Sequence, residues 1–173
     1  FSSNTFGSKI LVEGPLKEGG GTTFLFSGKT SYLDKTSETI YNFSMPYSYT
    51  DLYGKLTFNT NNGSKANVFG FNFQDHVNYQ GVSDLQWTSE GLGSDFILIP
   101  GNSPVLIEGN VAYSRYHITL EESSSPMRES SITGASMGFD FTNFQPNGKV
   151  KYGFDVYGFQ TKFRTFNIAN AVI

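Results

Sequence analysis

Apolar and polar residues alternate along most of this chain with a period of two, and no stretch repeats at the spacing of a helix. Four clusters of turn-forming residues interrupt the alternation: Lys17-Glu18-Gly19-Gly20-Gly21, Thr60-Asn61-Asn62-Gly63-Ser64, Pro100-Gly101-Asn102-Ser103-Pro104 and Gln145-Pro146-Asn147-Gly148. Longer polar stretches lie between them, at Leu33–Pro46, Asn78–Asp84 and Glu121–Ser130. The pattern predicts about eight strands with tight turns and long loops in alternation. The expected spans are Phe6–Leu16, Thr22–Tyr32, Tyr47–Asn59, Lys65–Val77, Leu85–Ile99, Val105–Leu120, Ser131–Phe144 and Lys149–Asn167.

The alternation is cleanest within about ten residues of each tight turn, the length a tilted strand needs to cross a bilayer. Ile10, Val12 and Gly14 oppose Lys9, Leu11 and Glu13; Phe24, Phe26 and Gly28 oppose Thr23, Leu25, Ser27 and Lys29. Leu52, Gly54, Leu56 and Phe58 oppose Asp51, Tyr53, Lys55 and Thr57, and Phe69, Phe71 and Phe73 are expected to continue the apolar face beyond the second turn. Leu92, Phe96 and Leu98, then Val105, Ile107, Val111 and Tyr113, flank the third turn. Ala135, Met137, Phe139 and Phe141, then Val150, Tyr152, Phe154 and Val156, flank the fourth. Further from the turns, near Asp75, Arg115, Glu121 and Arg164, the segregation fades. An apolar belt beside short turns, with strands running past it into water, describes an all-β, antiparallel transmembrane β-barrel with tight periplasmic turns and long extracellular loops. Tyr32, Tyr47, Tyr49 and Tyr53 on one side and Phe24, Phe58 and Phe144 on the other are expected as aromatic girdles.

Composition sharpens this picture. The apolar supply is aromatic, with 17 Phe and 10 Tyr beside 19 Gly, which suits sheets with one apolar and one wet face. A net charge of −3 without a basic stripe argues against nucleic-acid binding. No run is long and apolar enough for a membrane helix. The chain has no Cys, so disulfides and thiolate metal sites are excluded. A soluble sandwich also predicts alternation, but its strands are shorter and its connections less regular.

Topology points to a fragment. With the Gly19 turn in the periplasm, the first strand descends from outside and the eighth climbs back out, whereas a complete small barrel keeps both ends in the periplasm. The terminal Asn170-Ala171-Val172-Ile173 also lacks a closing aromatic. Residues 1–173 are therefore expected to form one partial barrel wall, without plug or remaining strands, in a bacterial outer membrane.

Several segments resemble a family. Ser8-Lys9-Ile10-Leu11-Val12-Glu13-Gly14-Pro15-Leu16, then Thr22 to Asp34 with its Ser27-Gly28-Lys29-Thr30-Ser31-Tyr32-Leu33-Asp34 ending, is similar to early barrel strands of TonB-dependent receptors of Bacteroidetes type. Tyr49-Thr50-Asp51-Leu52-Tyr53-Gly54-Lys55-Leu56 and Val111-Ala112-Tyr113-Ser114-Arg115-Tyr116 resemble later ones, although Lys29 stands where the family pattern has Arg. The resemblance implies a plugged barrel of about 22 strands that imports a scarce ligand (siderophore, glycan, peptide or cofactor) with energy relayed by TonB. It implies as partners the rest of the barrel and its plug, membrane lipid and the TonB complex, with a surface lipoprotein as a further candidate. A small self-contained barrel acting as adhesin or scaffold, and a soluble secreted carbohydrate-binding β-domain, are the alternatives.

No catalytic, cofactor or metal constellation is visible, so a transporter rather than an enzyme is expected. His76 and His117 lack ligand spacing and are expected to be solvated. Lys9, Glu13, Lys29, Asp51, Lys55, Glu108, Asp140, Lys151 and Asp155 are expected to face the lumen, their signs mixed without clustering. Tyr41, Phe43, Tyr47, Tyr49 and Tyr79, near or in the long loops, are the candidate ligand contacts.

Overall fold

The computed structural model describes residues 1–101 and 103–166. A short strand, β1 (Ser2–Ser3), precedes β2 (Gly7–Pro15) and β3 (Thr22–Ser31). Helix α1 (Leu33–Tyr41) leads to β4 (Tyr47–Asn59), β5 (Lys65–Tyr79) and β6 (Ser83–Leu98). Then follow β7 (Val105–Glu122), β8 (Ser125–Gln145) and β9 (Gly148–Arg164). All nine strands form one antiparallel sheet in sequence order, each strand paired with its chain neighbours. The sheet is open: among the described residues no ladder joins β9 to β1 or β2. The expected spans agree with β2 to β9 to within a few residues at most ends; Asn102, Asn167 and the terminal Asn170–Ile173 stretch lie outside the described residues.

Turn chemistry explains the hairpins. Gly63 closes the β4–β5 turn at φ 86° and Gly81 the β5–β6 turn at φ 74°, a left-handed backbone that glycine adopts without penalty. Neighbouring tight turns are tied together: Asn62 donates to the Ile99 carbonyl at 2.8 Å, and the Ile99 amide donates to Ser64 Oγ at 2.8 Å.

Three expectations need correction. First, a helix exists. Thr36 Oγ1 donates to the Tyr32 carbonyl, Asn42 caps the other end in the left-handed region, and buried Ser37 accepts from the Met45 amide. With Leu33, Ile40 and Tyr41 as its only large apolar residues, so short a helix leaves no readable periodicity. Second, only the α1 connection is long. The Asn78–Asp84 stretch is a hairpin between Tyr79 and Ser83. The Glu121–Ser130 stretch is mostly strand, with β7 and β8 joined across Ser123-Ser124 and a bulge at Leu120/Glu122. Polar composition here reflects exposed strand rather than loop.

Third, the register reassigns an aromatic trio. Directly paired residues point to the same side of a sheet. Leu56 pairs with Val68 and Gly54 with Gly70, while Lys55, Tyr53 and Asp51 pair with Phe69, Phe71 and Phe73. The three phenylalanines therefore share a face with charged residues, not with the apolar belt. The same parity puts Tyr47, Tyr49, Tyr53 and Phe144 on the charged face, so they are not part of an outward girdle; Phe24 and Phe58 are on the belt face.

The belt face is nonetheless continuous. One hydrogen-bonded row runs Gly14, Phe24, Leu56, Val68, Ser94, Val111, Met137, Val156. Below it Phe58, Ala66, Phe96, Gly109, Phe139 and Phe154 follow, with an edge contact Phe96–Phe139 at 5.9 Å and a tilted one Phe139–Phe154 at 5.5 Å. No described hydrophobic side chain is buried. Leu92 is 61 % exposed and Val156 54 %, so the described sheet has no core of its own.

The belt crosses the rows obliquely. The tight turns begin one residue past the Gly14 row in β2, three in β4, four in β6 and eight in β8. Its upper border also steps down by a row, from Leu52 in β4 to Gly70 in β5, where Asn72 is already polar.

Candidate functional site

All nine residues expected to face a lumen lie on one face, opposite the belt. Lys9 pairs with Lys29 and Lys29 with Asp51; Glu13 and Lys55 both pair with Leu25. Glu108 pairs with Asp140, while Lys151 and Asp155 pair with Thr142 and Gly138.

Their signs do cluster, contrary to the expectation from sequence. Asp95, Glu108, Asn110, Asp140 and Asp155 line one cavity of about 320 Å³ near the tight-turn side of β6–β9. Lys151 bridges Asp140 at 3.1 Å and Glu108 at 3.7 Å, and Asn67 donates to Asp95 at 2.6 Å. Asp95 was missing from the nine candidates, although its alternation with Leu92, Phe96 and Leu98 already places it opposite the belt, on the side of Glu108 and Asn110. Among the described residues no group of three or more His, Cys, Asp or Glu could hold a metal.

Aromatic rings and glycines are paired across the same face. Phe69 lies over Gly93, where an added Cβ would come within 2.5 Å of the ring, and Phe71 lies over Gly91 at 2.6 Å. Phe71 and Phe73 stack at 4.9 Å. Ring on glycine covers backbone that would otherwise be bare, a device that holds strand register.

Beyond the belt, on the side away from the tight turns, the two faces exchange character. The belt face becomes polar through Asn72, Gln74, Glu90, Arg115 and Thr133. The charged face becomes largely apolar through Val77, Leu85, Trp87, Ile118 and Ile132. Tyr47 and Asp75 interrupt it with a hydrogen bond of 2.6 Å, and that bond is the main reason the Tyr47 phenol is pushed up to about 12.

The candidate ligand contacts form separate groups. Tyr41 stacks on Phe6 at 6.2 Å and meets Phe43 at 5.9 Å beside α1. Tyr47 and Tyr49 meet at 5.9 Å on β4, and Tyr79 is an exposed residue at the β5–β6 tip. The histidines differ from the solvated expectation. His76 bonds Asp84 at 2.9 Å, and Asn78 and Gln86 donate to the same carboxylate. Burial pushes the Asp84 carboxyl up, but these bonds and the His76 charge outweigh it and hold it below its usual value. His117 is half-buried, its Nδ1 without a partner among the described residues.

No family model, no curated protein and no solved structure matches the chain. The chain is, at the level the structure defines, an all-β protein of one open antiparallel sheet.

Proposed function

We propose that this sheet is part of the wall of an outer-membrane β-barrel, its belt face turned to lipid and its charged face to a lumen. The observation that carries the reading is a nine-stranded sheet in which no described hydrophobic side chain is buried and a continuous apolar belt lies on one face beside the tight turns. A soluble sandwich of this size would bury such a belt against a second layer. The oblique belt supports the same reading. A drift of about one residue per strand, with a rise of about 3.4 Å per residue and a spacing of about 4.8 Å, corresponds to a strand tilt of about 35°. Barrel strands tilt by about 35–45°. The exchange of polarity above the belt supports it too, because a wall leaving lipid turns its outer face to water.

Within that class, the Glu13-Gly14-Pro15-Leu16 hairpin and the strands after it favour a TonB-dependent receptor importing a scarce extracellular ligand. This step rests on the resemblance alone. The test is the intact mass of the native polypeptide carrying these residues in a purified outer-membrane fraction. A heat-modifiable chain several times heavier than 19.1 kDa is expected. A chain of about that mass that folds without detergent would sink both steps, and one of that mass in the outer membrane would leave only a small or split barrel.

A further inference from the structure

The charged face holds a second cavity, unlike the acidic one. It has a volume of about 300 Å³ and lies where β1 folds over the start of β2. Its lining includes Lys9, Lys29, Ser31, Tyr49, Ser3 and Asn4, and no acidic residue. Lys9 and Lys29 are directly opposite one another in the β2–β3 ladder. Like charges in that position destabilise a strand pair unless something neutralises them.

The protein supplies little neutralisation. Asp51 pairs with Lys29 on β4 but does not line the cavity, and Glu13 is two positions further along the same face of β2. Among the described residues neither lysine makes an ion pair within 4.0 Å, although Lys151 on the same face makes two. Asn4 is committed elsewhere, its side-chain oxygen accepting from the Phe6 and Gly7 amides at 2.9 and 3.0 Å. These two bonds and the Ser2–Lys9 and Ser3–Ser8 pairing fix β1 as the wall of the cavity. What remains along the lining is two lysines and hydroxyl-bearing residues that can donate.

We propose that this cavity is an oxyanion site, taking a carboxylate, sulfate or phosphate group between Lys9 and Lys29, with Ser31 and Tyr49 as hydroxyl donors. Two charge-assisted bonds from opposite strands grip such a group, and its charge relieves the repulsion between the lysines. The site belongs to the face that the barrel reading turns to the lumen, and it adds to that reading the chemical class of a ligand group. It stands on the geometry of β1–β4 alone.

The test uses the native full-length protein purified in detergent, with sulfate and phosphate as probes and chloride at matched ionic strength as the reference. Saturable binding of the divalent anions is expected by calorimetry. Lys9→Gln and Lys29→Gln should each weaken it by at least about tenfold, while Lys65→Gln, on the same face beside a tight turn, should not. Without the anions, Lys9→Gln, which removes the repulsion and leaves the Lys29–Asp51 pairing in place, should melt higher than the parent, and sulfate should raise the parent's melting point more than the variant's. Absence of saturable binding, or equal affinity in parent and lysine variants, overturns the proposal. That failure is separable from failure of the barrel reading, which the membrane fractionation decides by itself.

Discussion

Tyr47 and Asp75 are diagonal neighbours on adjacent strands, Tyr47 pairing with Val77 and Asp75 with Tyr49, and a hydrogen bond of 2.6 Å joins them on the charged face beyond the belt. It raises the phenol from 10.0 to about 12, chiefly through the Asp75 bond, with burial and the Asp75 charge adding to it. A group whose folded pKa is raised contributes stability that is complete below its unfolded value and is lost as pH climbs through the folded one. The contact is therefore intact at neutral pH and fails between about pH 10 and 12. In an ultraviolet titration of the tyrosinates, Asp75→Asn should bring one phenol back towards 10.0 and leave the others unmoved. No such change would remove the pair as an organising contact. Neither residue could be matched from sequence: Tyr47 was legible as an aromatic near a loop, but its partner depends on the β4–β5 register. The Phe69-Phe71-Phe73 trio was misplaced for the same reason. A one-residue uncertainty in the Thr60–Ser64 turn moves every side chain of β5 to the other face.

Hairpins are the elements of this protein, and their turns were largely legible. Asn62-Gly63 and Pro146-Asn147-Gly148 are turn chemistry that little else can use. The helix and the two false loops were not legible, because exposed strand, exposed helix and loop share the same polar residues. Element geometry also separates two neighbours. Val111 is on the belt face, paired with Ser94 and Met137, and Asn110 is on the charged face beside Asp95 and Asp155. Val111→Arg places a cation in lipid on the barrel reading and should cost about 2–4 kcal/mol near the midplane. Asn110→Arg places it among carboxylates and should cost little. The check is the unfolding midpoint in urea of each variant in detergent or bilayer. Equal costs would mean that the two faces see the same surroundings.

The molecule as described has two open edges, and β9 is exposed at every one of its 17 residues. Its belt-face residues Val150, Tyr152, Phe154 and Val156 match those of β8 across the ladder. In lipid, unpaired N–H and C=O groups along such an edge are too costly to persist, so the barrel reading requires a further strand beyond β9. Hydrogen exchange on the native protein in detergent should find the β9 amides protected to the same order as those of β8. Free exchange along β9 beside a protected β8 would mean that the edge stays open and the wall is not closed.

What the amino-acid sequence determined by itself was the period-two alternation, the four tight turns and the segregation of charge near them, because each depends only on residues close together in the chain. From these came the all-β class, the extent of most strands and the single face shared by Lys9, Glu13, Lys29, Asp51, Lys55, Glu108, Asp140, Lys151 and Asp155. Only the tertiary structure decided which residues meet across strands: the carboxylate cavity at Asp95 and Asp140, the lysine pair at Lys9 and Lys29, and the side taken by Phe71. Those depend on register, and register is set by pairings between strands that local pattern leaves free by one residue in either direction.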